Sequence, residues 1–363
     1  MTHPPPASGP FQVTVQPSGR RFSVGEGEAV LAAAIRQGIG LPYGCKDGAC
    51  GSCKSKKLEG SLMHGPHQSK ALAEEEEAAG YVLTCSAYPL SDLVLESRQV
   101  TDESAFPIKR MPSRVLSLEK MSHDVMVMRL LLPANDTMRY HAGQYIEFIL
   151  RDNARRSYSM ANAPHTLVKS DAAPPAGPTV ELHIRHMPGG KFTDHVFSAM
   201  KEKEILRVEG PYGSFFLRED SPKPMVLLAS GTGFAPIKAV IEHMQHKGIT
   251  RPATLYWGGR RPSDLYLNDW VLQKLSEMPN LSYRPVVSNA LPEDQWTGRT
   301  GFVHQAVLDD LPDLSGYQVY ACGAPIVIEL ARDQYSALAG LPPDEFYADS
   351  FTTEADKHRD RGT

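Results

Sequence analysis

The sequence predicts a multi-domain protein with three successive parts: a small α+β unit, an antiparallel β-barrel and an α/β unit on a parallel sheet. At 363 residues the chain exceeds the roughly 100–200 residues of a single domain. Short strands separated by Gly and Pro turns follow Ser113, as in a small barrel. From Met225 onward, apolar strands alternate with helical stretches, the rhythm of a parallel sheet with helices on both faces. Domains are expected at residues 10–98, 110–218 and 222–350.

Composition narrows the class. Hydrophobic residues make up 41% and charged residues 22%, as in an ordinary globular protein. The net charge of −4 gives no basic footprint for nucleic acid. No apolar run reaches the ~18 residues of a membrane span. Met1-Thr2-His3-Pro4-Pro5-Pro6 has neither the charged nor the apolar region of a secretion signal. Cysteines gathered as ligands, not spread as a disulfide framework, fit a reducing compartment. A cytoplasmic protein is expected.

Residues 1–10 are Pro-rich and expected to be disordered. Phe11–Val15 and Arg21–Val24 alternate as paired strands around the Ser18-Gly19 turn, and Glu28–Gln37 reads as a helix stopped by Gly38. Next comes Tyr43-Gly44-Cys45-Lys46-Asp47-Gly48-Ala49-Cys50-Gly51-Ser52-Cys53, completed by the distant Cys85. The spacing C-x4-C-x2-C…C is that of a plant-type [2Fe–2S] site, where four thiolates converge on two irons. Gly44, Gly48 and Gly51 let the loop wrap closely and aim backbone N–H groups at sulfur. Zinc is the rival metal, but structural zinc sites show two short Cys/His pairs and this loop has one. Leu72–Ala78 is an expected short helix whose four glutamates form a solvated face in preference to a docking face. Tyr81–Thr84 delivers Cys85, and Leu93–Glu96 ends the unit.

Residues 99–112 read as a linker containing Pro107 and Pro112. Barrel strands are expected at Arg114–Leu118, Val125–Leu132, Tyr145–Leu150, Tyr158–Met160, Val180–Arg185 and Ile205–Glu209, with a loop insertion at Asp171–Pro178. Beyond them, strands are expected at Met225–Ala229, Ala253–Trp257, Leu281–Val287 and Tyr317–Ala321. Helices are expected at Ile237–His246, closed by Gly248, and at Ile326–Leu338, with Pro325 at its first turn.

Three segments carry chemistry here. Gly231-Thr232-Gly233-Phe234-Ala235-Pro236 joins an apolar strand to a helix, so small residues and a helix N-terminus can meet a pyrophosphate. Pro236 stands where the dinucleotide fingerprint has its third glycine. In Arg156-Ser157-Tyr158-Ser159-Met160-Ala161-Asn162, alternation puts Arg156 and Tyr158 on one strand face, able to hold a phosphate and a ring. Read alone, that segment is more often a solvated strand. Cys322-Gly323-Ala324-Pro325 ends the last core strand, where ligands of open α/β sheets bind. Cys322 read alone is a small buried apolar residue.

Together, R-x-Y-S-x-x-N, G-T-G-x-A-P and C-G-x-P resemble the ferredoxin–NADP reductase superfamily. With the N-terminal cysteine loop, the chain resembles its three-domain NAD(P)H-dependent iron–sulfur flavoprotein reductases. R-S-Y-S-M-A-N-A-P-H, Y-W-G-G-R and F-Y-A-D-S-F-T-T-E-A-D look most like the group of CDP-6-deoxyglucoseen reductase and ring-hydroxylating dioxygenase reductases. The resemblance implies a ferredoxin-like β-grasp domain holding [2Fe–2S] through Cys45, Cys50, Cys53 and Cys85, then an FAD barrel and a nucleotide domain. It implies Tyr158 against the flavin, Ser159 near its reactive nitrogen, and Arg156 on the pyrophosphate, with Ser157 and Asn162 in the same motif. His183 and Arg185 would line the cofactor's further half, and Gly190, Lys191 and Thr193 would form a second phosphate element. Gly231, Thr232, Gly233, Pro236, Gly323 and Pro325 would carry the nicotinamide nucleotide, and Cys322 would sit beside the hydride. Phe351 resembles the aromatic that covers the flavin.

The implied path is NAD(P)H to FAD to cluster to a separate acceptor protein, because hydride carries two electrons, a cluster takes one, and a flavin handles both. The acceptor is expected to be an oxygenase or dehydrase component, with Lys46, Lys54, Lys56 or Lys57 as candidate contacts against a plain solubility role. NADH is favoured, and NADPH stays open because Arg260 and Arg261 could accept a 2′-phosphate. A monomer is the expected state. The alternatives are a flavin and iron–sulfur redox sensor and a stand-alone free-flavin reductase.

Overall fold

The structure, a computed structural model, describes residues 9–100, 106–134, 138–167 and 177–353. The Pro-rich start and most of the Asp171–Pro178 insertion lie outside these residues. The chain divides into two compact units, one of residues up to Phe106 with the segment from Ser350, the other running from Pro107 to Asp349.

In the first unit, β1 (Phe11–Gln16) and β2 (Arg20–Val24) pair antiparallel. Alternate residues Phe11, Val13, Val15, Phe22 and Val24 are buried, the two-residue period of a half-covered sheet. Helix α1 (Val30–Arg36) follows, burying Val30, Leu31, Ala33 and Ala34. Strands β3 (Lys54–Glu59), β4 (Leu62–His64), β5 (Tyr81–Leu83), β6 (Ala87–Pro89) and β7 (Leu93–Glu96) complete the unit, with α2 (Glu74–Ala78) ahead of β5. The main sheet runs β2-β1-β7-β3-β5, with β1 and β7 parallel, and β4 pairs with β6 alone.

The second unit opens with a six-stranded antiparallel sheet of β8 (Lys109–Lys120), β9 (Val125–Leu131), β10 (Tyr145–Ile149), β11 (Arg155–Ser159), β12 (Thr179–Arg185) and β13 (Ile205–Tyr212). Their order is β11-β10-β13-β8-β9-β12. The outer strands meet through a Met160–Leu182 bridge and an Ala161 N–H to Glu181 O bond of 2.8 Å, which closes the barrel. The expected linker is shorter than residues 99–112, because Lys109–Pro112 already pair with Arg207–Gly210 of β13. Helix α3 (Lys191–Ser198) sends Phe192 and Val196 into the barrel core.

The same unit continues as a sheet of β14 (Met225–Ser230), β15 (Ala253–Gly259), β16 (Leu281–Val287), β17 (Arg299–Thr300), β18 (Gln318–Gly323) and β19 (Phe346–Ser350), ordered β17-β16-β15-β14-β18-β19. The registers from β17 through β18 are parallel. Met225, Leu227 and Ala229 of β14 pack with α4 (Phe234–Lys247) and α5 (Asn268–Glu277). Val226 and Leu228 face the other way, toward α6 (Val303–Asp310) and α7 (Pro325–Ala339). Both faces are thus covered, which explains the unbroken apolar run of β14. Gly248 closes α4 in the left-handed region, with φ of 64°.

Candidate active site and metal centre

The four cysteines of the spaced loop come together in the first unit. Cys50, Cys53 and Cys85 are buried, Cys45 is half-buried, and all are free thiols. Cys53 and Cys85 sulfurs lie 3.3 Å apart, and the Cys45 backbone N–H donates to Cys50 Sγ at 3.4 Å. The Cys45 thiol, opposed by burial and reinforced by the Cys45 and Ser52 backbone N–H groups, lowers the Cys50 pKa to about 5. Lys46 and Gly48 take positive φ of 66° and 77°. At Gly48 a Cβ would lie 2.9 Å from Pro66 O and from His67 Cβ, so the loop closes only with glycine there. Four convergent thiols, three of them in one glycine-shaped loop, fit a thiolate-held iron–sulfur cluster. On the flanking strand Lys54 is paired with Glu76 at 2.6 Å, and Lys56 lies over the Tyr81 ring at 5.4 Å. Glu76 of the acidic helix therefore serves an internal pair.

In the second unit, β11 presents its residues in alternation. Tyr158 packs on Phe148 and Phe192, at 5.8 and 5.5 Å between centroids. Arg156, two positions earlier, shares that face and donates to the Arg155 carbonyl at 2.7 Å. Ser157 faces the other way with Arg155, and both meet Glu147. Thr193 turns inward, donating to Met187 O at 2.9 Å, so the Gly190 turn and the α3 N-terminus are braced from beneath. Lys191 is exposed and paired with Asp152. A ring platform beside backbone N–H groups and cations suits an aromatic diphosphate such as FAD.

The strand then reaches the nucleotide sheet. Ser159 Oγ donates to Asp349 Oδ2 at 3.0 Å. Asp349 also acts on Cys322, whose thiol is fully buried: burial pushes its pKa well up and the Asp349 charge adds to this, while the Asp349 backbone N–H opposes it. Asp349 thus links the Ser159 hydroxyl to the surroundings of the Cys322 thiol. Gly233 packs so tightly there that a Cβ would lie 2.1 Å from Cys322 O. Thr232 and Pro236 are buried beside it, and Trp257 Nε1 donates to Gly231 O at 3.0 Å. Gly323, with φ of 128°, leads β18 through Ala324 to Pro325, the first residue of α7. Phe351 is the first residue past β19 and is half-buried. Asp349 escaped the sequence reading, since no spacing links it to Ser159.

Several charged residues around this point bridge the barrel and the nucleotide sheet. Asp124 Oδ2 accepts Arg185 Nε at 3.1 Å and Arg260 Nη2 at 3.2 Å. His123, Asp124 and Asp264 each bring a ligand atom within 4.8 Å of the others, but these arginines already neutralise the carboxylates. Arg261 is held by both Asp294 oxygens, at 2.6 and 2.7 Å. Asn162 spends its side chain on Thr166, Thr179 O and the Glu181 N–H. His183 is buried between Glu181 and Tyr266, and burial, outweighing Glu181, lowers its pKa. Its Nε2 lies 3.1 Å from Glu181 Oε1 and its Nδ1 2.8 Å from the Tyr266 hydroxyl. The fold gives Asn162 and His183 these structural partners.

Comparisons agree with this arrangement. Residues 13–90 match the 2Fe-2S iron-sulfur cluster binding domain family. Residues 112–217 match the oxidoreductase FAD-binding domain, and residues 227–333 the oxidoreductase NAD-binding domain. The chain is 39% identical over 344 residues to the CDP-6-deoxy-L-threo-D-glycero-4-hexulose-3-dehydrase reductase of Yersinia pestis, covering 94% of this chain and 98% of that one. It is 34% identical over 349 residues to the terephthalate 1,2-dioxygenase reductase component 2 of a Comamonas species, covering 96% and 99%. The crystal structure of Amycolatopsis cytochrome P450 reductase GcoB superposes with a TM-score of 0.74 at 30% identity, covering 94% and 99%. The chain belongs to the three-domain NAD(P)H-dependent iron–sulfur flavoprotein reductases of the ferredoxin–NADP reductase superfamily. It is an oxidoreductase that passes electrons from NAD(P)H through FAD and a [2Fe–2S] cluster to a separate acceptor protein. Among the described residues no helix is long and apolar enough to cross a membrane.

Proposed function

We propose that this reductase serves a dehydrase or oxygenase component in the cytoplasm, acting as a monomer with functional domains at residues 10–98, 110–218 and 222–350. The meeting of Ser159, Asp349 and Cys322 carries the assignment of the hydride-transfer point. FAD, when bound, accepts hydride from NAD(P)H and hands electrons singly to the cluster. Tyr158 supports the ring, and Arg156, Lys191 and the α3 N-terminus take its phosphates. Ser159 offers its hydroxyl at the reacting edge, oriented by Asp349. Gly231–Gly233 admits the nucleotide backbone, while the buried Cys322 walls the nicotinamide from water. Arg185 would line the further half of FAD. Cys45, Cys50, Cys53 and Cys85 hold the cluster.

The reading is supported by the names of the relatives, whose acceptors are a sugar dehydrase and a ring-hydroxylating dioxygenase. Affinity capture with the cluster intact, followed by NADH-driven reduction of the captured component, tests it. Recovery of a dehydrase or oxygenase that is reduced at the expense of NADH is expected. Tight association with a regulator, without turnover, would overturn it.

A further inference from the structure

Lys238 lies one turn into α4, the helix that springs from the glycine loop, and is 6% exposed. Its ammonium donates to Ala161 O at 3.1 Å and to Glu242 Oε1 at 2.6 Å, and lies 3.2 Å from Glu181 Oε1. Glu242, on the next turn of α4, accepts the Ala163 N–H at 2.8 Å. Ala161 and Ala163 stand just beyond Ser159 on the same run of chain. One buried cation thus ties the helix of the nucleotide loop to the segment that presents the flavin-side residues.

Stability alone does not explain such a group. Burying a charge is costly, and a well-packed apolar replacement is often as stable. Directional charged bonds give instead one fixed register, whereas apolar surfaces can slide. We propose that Lys238 is a positioning residue for hydride transfer, holding the glycine loop in register with Tyr158 and Ser159. This rests on the site reading above, in which those elements carry the nicotinamide and the flavin. A misplacement of about 1 Å can cost on the order of a hundredfold in rate.

The test uses Lys238→Met, Lys238→Arg and Glu242→Gln in the full-length protein loaded with FAD and cluster. Flavin bleaching by saturating NADH is timed anaerobically, NAD+ affinity is read from the flavin spectrum, and the melting midpoint is recorded. Lys238→Met is expected to slow bleaching at least about tenfold, leaving the NAD+ Kd within about twofold and the midpoint within a few degrees. Lys238→Arg should recover most of the rate. An unchanged rate in folded Lys238→Met overturns the proposal, as does a loss matched by equal losses of NAD+ affinity and melting midpoint. If Lys238→Met does not retain FAD, Glu242→Gln decides: slower bleaching at unchanged NAD+ affinity supports the role, and an unchanged rate overturns it. Wild-type flavin that neither NADH nor NADPH bleaches would instead overturn the underlying site reading.

Discussion

Ser159 Oγ donates a 3.0 Å hydrogen bond to Asp349 Oδ2 across 190 positions of sequence. The bond joins β11 of the barrel to β19 of the nucleotide sheet, and the same carboxylate raises the pKa of buried Cys322. Asp349→Ala frees the hydroxyl to rotate and removes the charge beside the thiol. Flavin reduction by NADH is expected to slow about a hundredfold, with FAD content unchanged. Stopped-flow absorbance reads the first and the spectrum of the purified protein reads the second.

Removing a cluster ligand should divide the electron path in two. In Cys50→Ser, iron content falls and reduction of a protein acceptor is lost. NADH-driven ferricyanide reduction stays within about twofold, because ferricyanide takes electrons from the flavin directly. Iron assay and paired turnover measurements check this. A free-flavin reductase would show no such division.

Nucleotide choice should respond to Asp294. Arg260 and Arg261, offered by the sequence for a 2′-phosphate, are engaged by Asp124, Asp264, Glu293 and Asp294. With Arg185 included, three guanidinium groups meet four carboxylates, a poor setting for a further dianion. NADH is therefore the expected donor. Asp294→Ala should release Arg261 and raise affinity for 2′,5′-ADP about tenfold relative to 5′-AMP, measured by calorimetry.

A pH dependence is expected from His165. Its ring stacks on His246 of α4 at 3.9 Å and 5°. Burial, then the neighbouring His246, lowers the His165 pKa below its ordinary 6.5. A lowered folded pKa means that the contribution is complete above about 6.5 and is lost as pH falls through the folded value. The melting midpoint should hold steady above pH 7 and decline below about 6.5. His165→Phe should flatten that decline while keeping the stacked ring.

Close backbone packing gives a stability prediction at Gly233. An added Cβ would meet Cys322 O at 2.1 Å and Gly323 Cα at 2.7 Å, and neither neighbour is the free end of a flexible side chain. Gly233→Ala should cost about 3 kcal/mol, seen as FAD release at lower temperature.

What the sequence disclosed follows from how locally each feature is encoded. The cysteine loop was legible because three ligands and their glycines are contiguous. Strand β14 was legible because burial on both faces leaves an uninterrupted apolar run. Helix α5 was not, since only Val271 on it is fully buried and most of its residues are polar. Asn162 ends the R-x-Y-S-x-x-N motif and His183 was placed by resemblance alone, and their side chains bond to Thr166, Glu181 and Tyr266. Those partners exist only once β12 and the nucleotide sheet are in place. Asp349 lies beyond the reach of any spacing rule for the same reason, since topology alone brings it to Ser159.

The position of β19 has a consequence for how the molecule is made. Synthesis is vectorial, and N-terminal portions fold while later ones are still being added. A nascent chain can emerge with its cysteine loop, barrel and glycine loop before Asp349 has been translated. Such an intermediate lacks the carboxylate that bonds to Ser159. Under the proposed site reading, competence for hydride transfer would wait until Asp349 has been translated.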